Sequence, residues 1–268
     1  MIGAAGVDYE TLLVERDDRG VARITFNRAQ KHNAMNAQFI TELRRAVAAI
    51  AADESVRAVV LTGAGESFCA GGDLGWMKQQ VAKSRAERIA ETRELAAMLA
   101  ELNGLPKPVI GRVNGAAYGG GIGMISVCDI TIAARGARFG LTEVRLGLLP
   151  ATISPYVVAR MGEANARRVF FNSRMFSADE AQTLGLLSQV VDADALDDAV
   201  EREIGYILNC APGAVAATKE LVAFVTRHWG EDNLIYTADR LADAWETAEG
   251  KEGISAFLEK RTPWWRAG

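Results

Sequence analysis

Three runs of the sequence, VRAVVLTG (56–63), PVIGRVNG (108–115) and CDITIAA (128–134), are apolar almost throughout. A strand of that kind has no face to offer water and must be covered on both sides, the usual condition of parallel strands joined by crossover helices. The intervening stretch fits. Residues 84–103 follow a helical pattern that Pro106 and Pro108 end. Upstream, residues 36–55 set Phe39, Ile40, Leu43, Val47 and Ile50 at helical spacing. Strand, helix and buried strand in this order predict βαβ units and an α/β architecture. YETLLVER and GVARITFN, separated by an Asp17–Gly20 turn signal, predict a leading β-hairpin. From about Ala195 the pattern changes, and 195–210, 212–228, 231–249 and 250–260 read as helices. The expected division is an α/β core over 1–195 and a helical module over 196–268.

Charge and cysteine usage narrow the function. A net charge of −4 and no Lys/Arg-rich stretch with interleaved aromatics argue against a nucleic-acid partner. No apolar run reaches the ~20 residues that span a bilayer, and MIGAAGVDYE has no basic region typical of a signal peptide. A soluble, cytoplasmic protein is expected. Cys69, Cys128 and Cys210 with His32 and His228 give no metal-binding spacing, so buried reduced thiols and no metal are expected.

Two glycine-rich corners follow the apolar runs: SFCAGGDL (67–74) and YGGGIGM (118–124). Glycine permits positive φ and close approach of backbone to a ligand. Two such corners suggest peptide N–H groups from separate segments aimed at one anion. Neither the second corner nor the stretch leading into the first fits a nucleotide site. Met124 stands where a dinucleotide fingerprint needs its last glycine, and LTGAGES (61–67) lacks the Lys-Ser/Thr of a phosphate-binding loop.

These corners, with ITFNRAQKHNAMN, PVIGRVNGAAYGGGIGMISVCDITIAA, ARFGLTEVRLGLLP and KEGISAFLEKR, resemble the enoyl-CoA hydratase/isomerase (crotonase) family along nearly the whole chain. The resemblance implies a spiral of ββα units with a helical C-terminal trimerisation module, and acyl-CoA thioesters as ligands. It places oxyanion-hole donors on Ala70 and Gly120 and the catalytic carboxylate on Glu143. CoA would enter only as part of the thioester, with no permanently bound cofactor. Gly71, Gly72, Asp73 and Leu74 are expected along the CoA, with Asp73 also suited to cap the helix that follows. Arg28 and Lys31 are candidates for CoA phosphates. Phe257 and Lys260 match family positions that reach a neighbouring subunit's CoA, implying a homotrimer or a dimer of trimers. Trp264 and Trp265 lie beyond that match; exposed tandem tryptophans are uncommon, so a subunit contact is expected there.

One position departs from the family pattern. Standard hydratases carry a second glutamate where this chain has Gly123. The segment EVRLGLLPATISPYVV looks most like bacterial hydratases of branched glutaconyl-CoA substrates, which also lack that glutamate. Hydration of a 2-enoyl-CoA, such as 3-methylglutaconyl-CoA, is the leading expectation. Δ3,Δ2-enoyl-CoA isomerisation is the alternative within the family, and a non-catalytic acyl-CoA or RNA binder the alternative outside it.

Overall fold

The computed structural model describes residues 9–266; residues 1–8, part of the opening stretch considered above, and the last two residues lie outside them. Strands β1 (Leu12–Arg16) and β2 (Val21–Phe26) form the expected antiparallel hairpin. Asp17 shapes its turn by accepting hydrogen bonds from the Arg19 and Val21 N–H groups. Helix α1 (Ala37–Ala52) begins at Asn36, whose side chain caps the Phe39 N–H, and it buries all five apolar residues that its spacing marked.

Three strand pairs follow. β3 (Ala58–Gly63) turns into β4 (Ser67–Cys69), and α2 (Leu74–Ala82) and α3 (Arg85–Asn103) cross to β5 (Val109–Val113). β5 turns into β6 (Ala116–Tyr118), and α4 (Gly120–Ser126) crosses to β7 (Ile130–Ala134), which turns into β8 (Arg138–Gly140). In each pair the first strand enters a large sheet and the second a small one. α5 (Ser154–Met161), α6 (Glu163–Phe170), β9 (Phe176–Ser177), α7 (Ala178–Thr183) and β10 (Gln189–Val191) complete this part. The large sheet runs β1-β2-β3-β5-β7-β10, parallel apart from β1; the small sheet runs β4-β6-β8-β9, with β9 antiparallel. This is the ββα spiral of the crotonase-like fold.

The apolar runs are buried on both sides, as their composition requires. Val59 and Leu61 face a core shared with Leu43 and Ile50 of α1, Met98 and Leu102 of α3, and Phe68 and Phe139 of the small sheet. The alternate residues Val60, Ile110 and Ile132 face Leu196, Val200 and Ile204 of α8 (Leu196–Leu208). Phe26 joins the layers through edge-to-face contacts with Phe39 and Phe68, ring centroids 5.0 and 5.3 Å apart. The first helix of the C-terminal stretch therefore covers the sheet. α9 (Pro212–Val225), α10 (Glu231–Glu246) and α11 (Ala248–Leu258) pack on one another, and neither α9 nor α10 has a fully buried residue. Among the described residues, no helix is long and apolar enough to cross a membrane.

The loop between β2 and α1 is stitched to the β3–β4 turn by Asn33. Asn33 is fully buried at φ +56°. Its Oδ1 accepts from the Arg28 N–H at 3.0 Å, and its Nδ2 donates to the carbonyls of Ala64 (2.9 Å) and Ser67 (2.8 Å). Asn33→Ala strands these buried partners and strains the left-handed backbone. A destabilisation of about 2–4 kcal/mol is expected in denaturant unfolding, with Asn33→Gly, which relieves the strain, losing less. Equal stability of Asn33→Ala and wild type would remove this stitch from the account.

Candidate active site

The two glycine corners meet. A Cβ built on Gly71, at φ +87°, would lie 2.8 Å from the Tyr118 carbonyl oxygen and 3.4 Å from the Gly120 nitrogen, so only glycine lets these backbones come so close. The 70–73 turn is held from behind by the 28–36 loop. The N–H groups of Ala70, Met35 and Asp73 donate to the carbonyls of His32 (2.9 Å), Gly71 (2.7 Å) and Met35 (2.8 Å) respectively.

This ladder corrects one expected donor. The Ala70 N–H is occupied by His32 and faces the loop, away from the second corner. Gly71, at φ +87°, gives its carbonyl to this ladder, and the neighbouring Cys69 thiol is pushed up by burial to about 12. Gly72 pairs with Met35 as an isolated parallel bridge in which residues 71 and 73 make the hydrogen bonds, so its own N–H points to the opposite side. Among the described residues, neither the Gly72 nor the Gly120 N–H has a hydrogen-bond partner. The sequence signal lay in the order of residues: a glycine that turns, a glycine left free, then the aspartate that caps the next helix.

Arg28 is also reassigned. Its guanidinium meets Asp73 Oδ2 at 2.9 Å, both side chains largely buried (13% and 14% exposed), and also donates to the Ala34 carbonyl. It braces the loop against the turn and does not turn its charge outward to a CoA phosphate. Lys31 stands exposed in the same loop. Asp73 caps α2 by accepting from the Gly75 (2.8 Å) and Trp76 (3.2 Å) N–H groups. Burial raises its carboxyl, but hydrogen bonds from Trp76, Arg28 and Gly75 outweigh that and hold it below the usual range. Leu74 is exposed at the start of α2.

Glu143 opens a single 3₁₀ turn (Glu143–Leu146) just beyond β8. Its carboxylate reaches back to the second corner: a Cβ on Gly119 would come within 2.9 Å of Oε1. Gly119 holds φ +49° there and donates its N–H to the Gly140 carbonyl at 2.9 Å. Glu143 Oε2 is buried with no hydrogen-bond partner. Burial pushes its carboxyl above the usual carboxylate range, opposed in part by its own backbone N–H. The site thus joins a partly buried carboxylate of raised pKa to two peptide N–H groups without partners, an arrangement able to move a proton beside a developing oxyanion.

Phe257 and Lys260 stand at the exposed end of α11, on a different element from the corners. Trp264 is half-exposed, whereas Trp265 lies over Gly253 and its carbonyl accepts from Arg57 at 3.3 Å, so that indole packs within its own chain. Cys69 and Cys128 are buried as expected; Cys210 is exposed at the end of α8.

Paired backbone donors and a buried carboxylate on a ββα spiral define a crotonase-like enzyme. The chain belongs to the enoyl-CoA hydratase/isomerase family, whose model matches residues 16–268. It is 35% identical over 256 residues to a probable enoyl-CoA hydratase of Mycobacterium tuberculosis, covering 95% of this chain and 97% of that one. Two solved structures superpose with a TM-score of 0.92. One is Pseudomonas aeruginosa AtuE, 43% identical, covering 96% of this chain and 100% of that one. The other is an enoyl-CoA hydratase from Shewanella pealeana, 36% identical, covering 96% of each.

Position 123 lies one helical turn beyond Gly120 on the same face of α4. A Cβ there would overlap Ile153 Cγ2 and come within 2.8 Å of Ile153 Cβ, and Ile153 is itself buried. The space that a side chain at 123 needs is filled by Ile153. Gly123→Glu is therefore expected to destabilise the fold by at least the roughly 1–3 kcal/mol of an overpacked core. Pairing it with Ile153→Ala should cost less than the sum of the two single changes. Strict additivity in a double-mutant cycle of unfolding midpoints would show that the two positions do not compete for this space.

Proposed function

We propose that this protein adds water across the double bond of a 2-enoyl-CoA thioester. The observation that carries this is the partnerless Glu143 oxygen beside the free Gly72 and Gly120 N–H groups. The thioester oxygen accepts hydrogen bonds from both donors. Ionised Glu143 takes a proton from water as the water oxygen bonds to Cβ, and the double-bond electrons move through Cα onto the thioester oxygen. The N–H pair stabilises that enolate; losing one donor of such a pair typically costs about 2.7–4 kcal/mol. Glu143 then returns the proton to Cα and is ready for another cycle. One carboxyl group serves both halves of the addition. The hydratase names of the Mycobacterium and Shewanella proteins support hydration over double-bond isomerisation.

We assign a branched, glutaconyl-type acyl group as the substrate. Supporting it is the segment after Glu143, with Ala151–Tyr156 in place of the family's glycine-rich stretch and Ile153 filling the space beside Gly123. Turnover of crotonyl-, 3-hexenoyl- and 3-methylglutaconyl-CoA, followed by enoyl-thioester absorbance, tests both assignments. Preference for crotonyl-CoA overturns the branched substrate. Conversion of 3-hexenoyl-CoA to the 2-enoyl product without hydration overturns the hydratase in favour of the isomerase.

Glu143→Gln is expected to lower kcat by at least the ~10²-fold typical of a general acid–base group. Because the base must be ionised and its pKa is raised, the acid limb of kcat/KM should lie above the ~4.3 of an ordinary glutamate. The stability effect has the opposite sense. A raised native pKa means that the folded state binds the proton more tightly, so this group destabilises the fold as pH rises through that range. Glu143→Gln should therefore gain stability on wild type at neutral pH, and the gain should shrink toward acid. Near-normal turnover in the variant would remove Glu143 from the chemistry.

The same proposal includes assembly. α10, α11 and the α9–α10 connection expose Trp229 (82% exposed), Phe257 (80% exposed), Leu234, Leu241 and Leu258, apolar surface of the kind that marks an interface. A homotrimer or dimer of trimers would cover it and bring Phe257 and Lys260 to a neighbour's CoA. Sedimentation should give a trimer or hexamer, and Lys260→Ala should weaken acyl-CoA binding at low salt, where a partly exposed phosphate contact is least screened. A monomer at micromolar concentration would end the assembly proposal; unchanged affinity in an assembled Lys260→Ala would end the contact.

A further inference from the structure

α2 follows directly on the Gly72 donor, yet it has no fully buried residue. Beyond its cap, its polar side chains converge on one residue. Trp76, Gln80 and Lys83 stand at i, i+4 and i+7, a single stripe along the helix and its C-cap, and all three give their donors to Glu91 of α3. Trp76 Nε1 donates to Glu91 Oε2 at 3.0 Å, Gln80 Nε2 donates to the same oxygen, and Lys83 Nζ pairs with Oε1. The turn beneath them is set by a capping box, in which Ser84 and Glu87 satisfy each other's backbone N–H groups at the start of α3.

What the clamp holds lies beside the site. A Cβ on Gly72 would find Met77 Cγ and Sδ at 3.5 Å and Trp76 Cε3 at 3.9 Å. The indole whose N–H is held by Glu91 thus has its ring edge next to the Gly72 backbone, with the Met77 thioether alongside. The backbone ladder fixes the 70–73 turn, Asp73 caps the first turn of α2, Trp76 packs against the edge of the core, and Glu91 takes the side-chain donors along the rest of the helix.

We propose that Glu91 is a positioning residue for the reaction. By collecting three donors from one stripe of α2, it fixes Trp76 and Met77 as the apolar wall beside the Gly72 donor, and so sets which acyl thioesters are held in line with Glu143. This role rests on the hydration proposed above. It requires that a loosened α2 alter the choice among acyl groups and the rate per bound substrate, while the fold, to which α2 contributes no buried residue, stays intact.

The test compares wild type, Glu91→Gln, Glu91→Ala and Trp76→Phe on crotonyl-CoA and 2-decenoyl-CoA, with unfolding midpoints measured on the same samples. Displacement of a reacting group by about 1 Å can cost on the order of 10²-fold. The expected results are a loss of about tenfold or more in kcat for Glu91→Ala and a change of about threefold or more in the ratio of kcat/KM between the two thioesters. Glu91→Gln, which keeps an acceptor for one donor, should fall between Glu91→Ala and wild type. Trp76→Phe, which keeps a ring but loses its N–H, should change the ratio with little effect on the midpoint. A Glu91→Ala enzyme with wild-type kcat and wild-type ratio overturns the proposal. So does one whose activity on both thioesters falls equally and only in step with its folded fraction. If wild type hydrates neither thioester nor any branched one, the proposed function fails on its own. The clamp is then decided by calorimetric affinities for the same two thioesters, an unchanged affinity ratio in Glu91→Ala counting against it.

Discussion

Three backbone hydrogen bonds between the 32–35 loop and the 70–73 turn determine which peptide groups this protein can present to a ligand. They engage the N–H groups of Ala70, Met35 and Asp73, and because neighbouring residues of an extended segment point their N–H groups to opposite sides, they turn Gly72 outward. Everything around the ladder serves to hold it. Asn33 anchors the loop to the β3–β4 turn, the Arg28–Asp73 pair closes it from the side, and Asp73 passes the same restraint to α2. Arg28 and Asp73 are both largely buried, so removing either one would leave a charge without its partner, which is far more costly than losing an exposed ion pair.

The fold could be read from the sequence because its strongest signals are local. Runs apolar on both faces demand cover on both sides, and the spacing of Phe39 to Ile50 left α1 one way to bury them. The meeting of the glycine corners was legible as an expectation, and so was the Asp73 cap, since each depends on residue type at a fixed offset. What could not be read was the direction of individual N–H groups. AGGD shows where backbone may approach a ligand, but whether Ala70 or Gly72 faces it depends on a loop forty residues earlier in the chain. Arg28 illustrates the same limit: its charge is evident in sequence, its partner only in three dimensions. The covering role of α8 was hidden for another reason. Its Leu196, Ala199, Val200 and Ile204 have ordinary helical spacing, and nothing local distinguishes a sheet from another helix as the surface they meet.

Glu143 and Ile153 show how the chain handles polarity near the site. A carboxylate oxygen left without a partner is unfavourable for the fold, and structures keep such groups where chemistry requires them. Here the two neighbouring glycines differ in what their missing side chains permit. At Gly119 the space admits the Glu143 carboxylate; at Gly123 it admits the Ile153 side chain. One helix start therefore borders a charged group and its next turn an aliphatic one, which favours a single ionisable group that can be both poorly solvated and free to exchange its proton.

The alternation of the strand pairs between two sheets has a consequence for how such a protein can diversify. Each pair is bound at both ends, one strand in each sheet, and the turns between them touch: a Cβ on Gly115 would overlap the Glu66 carbonyl oxygen. Lengthening any of these turns would shift two sheets at once. The α2–α3 hairpin leaves the spiral between β4 and β5, and its first helix adds no fully buried residue. Substitutions along α2 therefore disturb the core less than changes in the turns of the spiral or in α3, which buries Met98, Leu99 and Leu102. The architecture sets a tightly coupled spiral beside a helix that can change without unseating it.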